Sequence, residues 1–158
     1  MTQIRHDENK AFKIIERFNH LNASRAPISD FLPIVDADNL IVTIRDSDIV
    51  FKGIAGLADH QIGKLSFFDQ KFDCELVKSE YQKECLTMNT KGVWYATIWQ
   101  SPAPYSQKLI ADLVHTWILK RTEQSTYIID THICEYFKYR DGFSPRDFSD
   151  KDFHYTLK

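Results

Sequence analysis

The segment from Leu109 to Leu119 constrains the fold of this chain most strongly, because its residues alternate in character. Side chains at every second position of a β-strand point to the same face of the sheet. One such set is apolar except for a single imidazole in its middle: Leu109, Ala111, Leu113, His115, Trp117 and Leu119. The pattern predicts a strand with one face in a core and His115 within that face.

The opposite face of the same segment is also unusually apolar. It carries Ile110, Val114, Thr116 and Ile118, with Asp112 among them. A sheet face of this composition is typical of a surface that another subunit covers. We therefore expect a homodimer that forms through the outer face of the sheet.

The rest of the chain divides into helices followed by strands. Apolar residues at helical spacing predict a helix that begins at Asp7 and Glu8, then a short helix after Pro27. Two short strands at 40–44 and 49–51 precede a third helix at 56–68. Four long strands follow at 74–88, 93–100, 109–120 and 126–137, with Asn89-Thr90-Lys91-Gly92 as a hairpin turn. This order predicts an α+β fold with N-terminal helices packed on a mainly antiparallel sheet.

Composition excludes several classes of function. The chain has 158 residues and a net charge of -2, without the basic patch that nucleic-acid binding needs. It has no apolar run of membrane-spanning length and no apolar signal core near Met1, so we expect a cytoplasmic protein and no membrane partner. Three cysteines without a CxxC motif are typical of free thiols.

Cofactor motifs are also missing from the sequence. There is no glycine-rich phosphate loop and no GxSxG elbow. His132 and Cys134 share one strand face, and His115 is a third donor, but no paired ligand spacing supports a metal. We expect neither a cofactor nor a metal ion.

The order of the elements resembles that of the nuclear transport factor 2-like superfamily, which includes SnoaL-like proteins, ketosteroid isomerase and scytalone dehydratase. The local cues are Asp36-Ala37-Asp38 before the first strand, Val50-Phe51-Lys52-Gly53 before the third helix, and His115-Thr116-Trp117 on the fifth strand. The resemblance covers about residues 7–137. It implies a single domain at 1–140, a cone-shaped α+β barrel or cystatin-like roll, in which a curved sheet wraps helices around an apolar cavity. Residues 141–158 form a tail, which is either a partly ordered terminus or a segment that folds over the cavity or onto a partner chain.

Two residues are candidate catalytic groups. His115 on the cavity wall suits a general acid or base, and the alternative is a core histidine bonded to a neighbouring group. Asp46 occupies a place similar to the catalytic aspartate of ketosteroid isomerase, and the alternative is a plain polar turn. That isomerase also uses a tyrosine on its first helix, where this chain has Phe12 and Phe18. The difference argues against steroid isomerisation.

The position of His132 depends on strand register. If Leu119 pairs with Tyr127, then Asp130 and His132 lie on the outer face of the sheet. If Leu119 pairs with Ile128, they turn inward beside His115, since one residue of slip reverses every side chain. The inward arrangement resembles the two-histidine site of scytalone dehydratases, and burial of apolar residues favours the outward one.

The function predicted from these features is the binding of a small hydrophobic molecule. The candidate ligand-binding residues are Phe18, Tyr81, Tyr95, Trp99, Trp117 and His132. An enzyme of this kind would be a cofactor-free isomerase, dehydratase or cyclase, with His115 as acid or base and Tyr81 or Tyr95 as hydrogen-bond donor. The alternatives are a non-catalytic ligand-binding or protein-interaction module, and the small subunit of an oxygenase.

Overall fold

The computed structural model describes residues 2–62, 66–99 and 103–145, and for residues 2–5 it describes the backbone only. The helices are α1 (Thr2–Ala23), α2 (Ile28–Phe31) and α3 (Gly53–Ile62), with a 3₁₀ turn at Leu32–Ile34. The strands are β1 (Ile41–Ile44), β2 (Val50–Lys52), β3 (Phe67–Gln82), β4 (Cys85–Ile98), β5 (Gln107–Arg121) and β6 (Tyr127–Tyr139).

The strands described form one sheet in the order β2-β1-β6-β5-β4-β3. All neighbours are antiparallel except β1 and β6, which run parallel. Helices packed on a mainly antiparallel sheet confirm the predicted α+β class. None of the helices in the described ranges combines the length and apolarity that a membrane crossing needs.

The core lies between α1 and the inner face of the sheet. Four apolar residues of α1 are buried at helical spacing: Ala11, Ile15, Phe18 and Leu21. The alternate residues of β5 predicted to face inward are all buried, and His115 is 5% exposed among them. The prediction from Leu109–Leu119 is therefore confirmed for the whole inner row.

Several predicted boundaries are wrong. The first helix begins at Thr2, and Asp7 lies inside it, buried, where it accepts a hydrogen bond of 2.5 Å from the Tyr81 hydroxyl. The third helix is α3, which begins at Gly53 and ends at Ile62, and Phe67 and Phe68 belong to β3. In the predicted tail, residues 141–145 are described and 146–158 lie outside the described residues.

The predicted hairpin turn at Asn89–Gly92 is also wrong, because these residues lie inside β4. The chain reverses instead between β3 and β4, where Lys83 has φ +56°. Gly92 serves a different purpose, since a Cβ there would lie 2.3 Å from the Asp73 carbonyl oxygen on β3. The glycine allows close approach of the two strands.

Candidate functional site

Two β-bulges in β6 determine which of its side chains face inward. Leu119 pairs with Ile129 but Ile118 pairs with Thr131, so Asp130 is an extra residue. His115 pairs with Cys134 but Val114 pairs with Tyr136, so Glu135 is a second one. At each bulge, the alternation of inward and outward side chains along the sequence therefore shifts by one residue.

Along β6, the inward-facing residues are therefore odd-numbered, then even-numbered between the bulges, then odd-numbered again. Tyr127 and Ile129 face the core before the first bulge, and His132 lies opposite Trp117 after it. Both predicted registers are wrong as uniform pairings, because Leu119 lies opposite neither Tyr127 nor Ile128. Tyr127 and Ile129 are buried as in the outward register, and His132 faces inward as in the alternative.

The segment between the bulges is held on both sides. β5 pairs with it on one side, and β1 pairs with it in parallel on the other, with Val42 opposite His132 and Ile44 opposite Cys134. Backbone hydrogen bonds to two neighbours fix the position of His132 relative to His115. The sequence feature behind this placement is the pair of extra acidic residues.

His115 and His132 form a buried pair of imidazoles. Their ring centroids lie 4.5 Å apart at an interplanar angle of 88°. The two residues are 5% and 6% exposed, respectively. The two imidazoles therefore lie close together and are largely shielded from solvent.

Aromatic side chains fix the orientation of the pair. The Trp117 ring stacks on His132 with centroids 4.0 Å apart and an angle of 13°. The Phe18 ring meets His132 edge to face at 5.5 Å. The indole nitrogen of Trp117 donates a hydrogen bond of 2.9 Å to Thr90 Oγ1, which holds the stacking ring in place.

The histidine pair lines a cavity of about 280 Å³, hereafter the histidine cavity. Its walls are mostly apolar and aromatic: Phe67, Phe72, Trp94, Leu113 and Phe137. Polar atoms come from Asn22, His60, Cys134 and Tyr139 in addition to the pair. Apolar walls with a few convergent polar groups are typical of small-molecule sites.

A hydrogen bond joins α3 to α1 at this cavity. Gln61 Nε2 donates to Asn22 Oδ1 at 3.2 Å and lies 3.3 Å from His60 Nδ1. The His60 ring in turn meets Phe51 edge to face at 5.2 Å. These contacts connect two cavity-lining polar residues through Gln61.

The second bulge is anchored on the outer face of the sheet through Glu135. Its carboxylate forms an ion pair with Arg45 and accepts a hydrogen bond from Thr116 Oγ1. The hydrogen bond from Arg45 is the main reason that the pKa of Glu135 is lowered, against an opposing effect of burial; Thr116 and the charge of His115 add to the lowering. Asn89 Nδ2 donates to Thr116 at 2.8 Å and extends this network to β4.

Comparison with known proteins identifies the fold. No protein-family model matches the chain, and no curated protein matches it by sequence. Among solved structures, hexachlorocyclohexane dehydrochlorinase LinA-type3 from Novosphingobium barchaimii is 12% identical with a TM-score of 0.65, over 92% of this chain and 97% of that one. A ketosteroid isomerase-like protein from Erwinia carotovora atroseptica is 11% identical with a TM-score of 0.56, over 82% and 92% of the two chains.

A third structure carries a fold description. It is a protein of unknown function with a cystatin-like fold from Nostoc punctiforme, 11% identical with a TM-score of 0.60, over 87% of this chain and 93% of that one. The chain has the nuclear transport factor 2-like fold. The predicted resemblance is thereby confirmed for the architecture, since identities this low compare folds and not functions.

Within this nuclear transport factor 2-like fold, four of the predicted site residues come together. His115 and His132 line the histidine cavity, and Trp117 and Phe18 pack against His132 from behind. The other predicted catalytic residue, Asp46, lies elsewhere. It is exposed in the turn after β1 with φ +61°, outside the described cavity lining, so the structure places it as a turn residue.

The remaining predicted ligand-binding residues lie away from the cavity. The Tyr81 hydroxyl donates to Asp7 and contacts the Tyr127 hydroxyl at the other end of the core. Tyr95 faces the outer side of the sheet, where the Lys71 ammonium lies 6.0 Å from its ring centroid. Trp99 is 45% exposed and donates to the Ala103 carbonyl at 3.0 Å. Their aromatic character alone does not place them in the site.

Sequence reasoning missed Tyr139 and Phe72 as cavity residues, together with Asn22 and His60. The alternation of Phe137 and Tyr139 was the available signal, since it continues β6 two residues past the predicted end. Asn22 is buried next to Leu21 at the C-terminal end of α1. Among the described residues, no three His, Cys, Asp or Glu side chains are arranged to hold a metal ion.

Proposed function

We propose that this protein binds a small apolar molecule in the histidine cavity and transfers a proton on it without a cofactor, with His115 and His132 as base and acid. The observation that supports this proposal is the buried pair of imidazoles, 4.5 Å between ring centroids, on the wall of an apolar cavity. Imidazole both accepts and donates protons near neutral pH. Burial strengthens the electrostatic interactions of such a pair with a reacting molecule.

The pair supports two related reactions. In an elimination, one imidazole takes a proton from carbon, a double bond forms, and the leaving group departs with the bonding electrons. In an isomerisation, the proton taken from one carbon is returned to another. One imidazole is neutral before proton removal and cationic after it, and its neighbour can accept or relay the proton.

Two structural neighbours are consistent with this chemistry. One is named a dehydrochlorinase, which denotes an elimination, and another is named ketosteroid isomerase-like. Their identities to this chain are 12% and 11%, so they support the proposal through the shared fold. Fold and reaction are separate properties, and the proposed reaction depends on the two imidazoles.

The test uses the ring-opening elimination of nitrobenzisoxazole, a small apolar probe for a general base. The base removes the ring C–H proton, the C–H electrons form the third bond of a nitrile, and the N–O bond breaks with its electrons on oxygen, which opens the ring to one coloured product, a cyanonitrophenolate. We expect the wild type to accelerate this reaction, and His115→Gln and His132→Gln each to lower the rate by about 10- to 100-fold. His20→Gln is the matched control, because His20 is exposed on α1 and lies outside the histidine cavity.

Two results would contradict the proposal. Unchanged rates in both cavity variants, with unfolding midpoints equal to the wild type, would exclude the histidines as bases. Tight binding of the probe without acceleration would favour the alternative function of a ligand carrier on the same fold. Displacement of a bound apolar fluorophore measures probe binding independently of turnover.

We further propose that the outer sheet face joins two copies of this chain. Ile110, Val114 and Ile118 are half-buried there, and the neighbouring Thr116 is buried. An apolar sheet face is stabilised when a second copy covers it. Val114→Lys should convert a dimer to a monomer in analytical ultracentrifugation, and a monomeric wild type at high micromolar concentration would refute this proposal.

A further inference from the structure

We infer that Tyr139 orients the molecule bound in the histidine cavity, by donating a hydrogen bond from its phenol hydroxyl to an acceptor oxygen on an otherwise apolar, uncharged ring compound. This inference rests on the proposed function, because it concerns the same cavity. It adds a class of ligand: a neutral carbonyl compound of one or two rings. It also replaces the donors expected from the sequence, Tyr81 and Tyr95, which lie elsewhere.

The position of Tyr139 on the sheet supports this role. Tyr139 follows the second bulge of β6, lies opposite Ala111 on β5, and lines the cavity with both histidines. Ala111 precedes His115 by four residues, which is about 13 Å along a strand. The phenol and the imidazoles therefore come from separate positions along the inner face of β5 and β6, and a ligand between them has a defined direction.

The Tyr139 ring is held and its hydroxyl is available. The ring meets Phe137 edge to face at 5.1 Å and lies 6.5 Å from the Trp94 ring. Burial raises the pKa of the Tyr139 phenol, so this group keeps its proton and acts as a donor. Within the described ranges no side chain is bonded to this hydroxyl, whereas the Tyr81 hydroxyl is bonded to Asp7 and Tyr127.

The charges of the cavity restrict the ligand. None of the cavity-lining residues in the described ranges is a carboxylate, an ammonium or a guanidinium group. An ionised ligand would lose its hydration there without a permanent counter-charge. A neutral molecule with a single acceptor satisfies the Tyr139 donor, and its ring fits the aromatic walls. The volume of about 280 Å³ accommodates a molecule of one or two rings.

The experiment compares two ligands that differ by one oxygen. α-Tetralone is a bicyclic ketone, and tetralin has the same carbon skeleton with a methylene in place of the carbonyl. Their dissociation constants are measured by displacement of an apolar fluorophore from the wild type and from Tyr139→Phe. The control is Tyr136→Phe, which removes a hydroxyl from an exposed tyrosine of the same strand.

We expect Tyr139→Phe to weaken α-tetralone relative to tetralin by about 5- to 10-fold, the effect of one hydrogen bond, while tetralin binding changes by less than about two-fold. The control should leave the ratio unchanged. An unchanged ratio in Tyr139→Phe, with both ligands bound, overturns this inference and leaves the proposed function standing. If neither ligand binds to the wild type, the cavity does not take apolar rings, and both proposals are overturned.

Discussion

Gly92→Ala should destabilise the protein, although alanine is ordinarily the better residue in a strand. A Cβ at this position would lie 2.3 Å from the Asp73 carbonyl oxygen and 2.6 Å from Cys74 Cα, both in the backbone of β3. An ordinary van der Waals contact begins near 3.4 Å, so β3 must move by about 1 Å. Backbone cannot rotate out of the way as the end of a flexible side chain can.

The expected loss follows from two opposing terms. Overpacking costs about 1 to 3 kcal/mol, and the upper end of about 3 kcal/mol applies here because the contacts are with backbone. The entropic benefit of replacing glycine returns about 0.5 to 1 kcal/mol. We expect a net loss of about 2 kcal/mol in the free energy of unfolding. With a denaturant slope of about 2 kcal/mol per molar urea, the unfolding midpoint should fall by about 1 M.

Urea unfolding followed by tryptophan fluorescence and by far-ultraviolet circular dichroism measures this change. Gly142→Ala is the comparison, because a Cβ there meets nothing within 4 Å and only its φ of +85° causes strain. It should cost about 1 kcal/mol, less than Gly92→Ala. A midpoint for Gly92→Ala equal to or above that of the wild type would show that β3 and β4 are not in close contact at this position.

Two further predictions concern buried polar groups. The hydrogen bond from Lys120 is the main reason that the pKa of Asp36 falls from 3.8 to about 2. The stability that this carboxylate contributes is fully present above its pKa in the unfolded chain and is lost as the pH falls through about 2. Asp36→Asn should therefore lower the free energy of unfolding by about 1 to 2 kcal/mol near pH 7. It should also make urea unfolding midpoints depend less on pH between pH 5 and 2. Equal acid sensitivity in variant and wild type would contradict this assignment. Tyr81→Phe should cost about 1 to 3 kcal/mol, because it removes the donor to buried Asp7 and a partner of Tyr127; a midpoint unchanged within error would count against this network.

The inner row of β5 was predictable because a single local rule determines it. Alternation over eleven residues leaves few other ways to bury Leu109, Leu113 and Trp117, and His115 follows them to the same face. The stripe of α1 was predictable for the same reason. Both elements have a face that one neighbouring layer covers.

The hairpin and the β6 register were not predictable, because distant residues decide them. Asn89-Thr90-Lys91-Gly92 has the composition of a turn, yet Cys74 and Leu113 both pair with Gly92, and the surrounding strands keep the segment extended. Lys83 and Glu84 make the actual reversal without glycine. Local propensity therefore favours the wrong site for the turn.

His132 was uncertain for a related reason. Asp130 and Glu135 are ordinary polar residues in the sequence, and nothing local marks them as extra. Their status follows from pairing with β5 and, between the bulges, with β1. Each uniform register therefore described one part of β6, and a change of register within the strand produced the histidine pair.

The two bulges of β6 allow a strand with two extra residues to keep one continuous inner face. Even-numbered residues face inward between 131 and 134, and odd-numbered residues face inward before the first bulge and after the second. Deletion of either extra residue would keep the pairings on both sides of it, so His132, Phe137 and Tyr139 would still face inward and only the local bulge would be lost. A substitution that abolished a bulge but kept its extra residue would instead shift the pairing by one residue and turn the side chains beyond it to the opposite face.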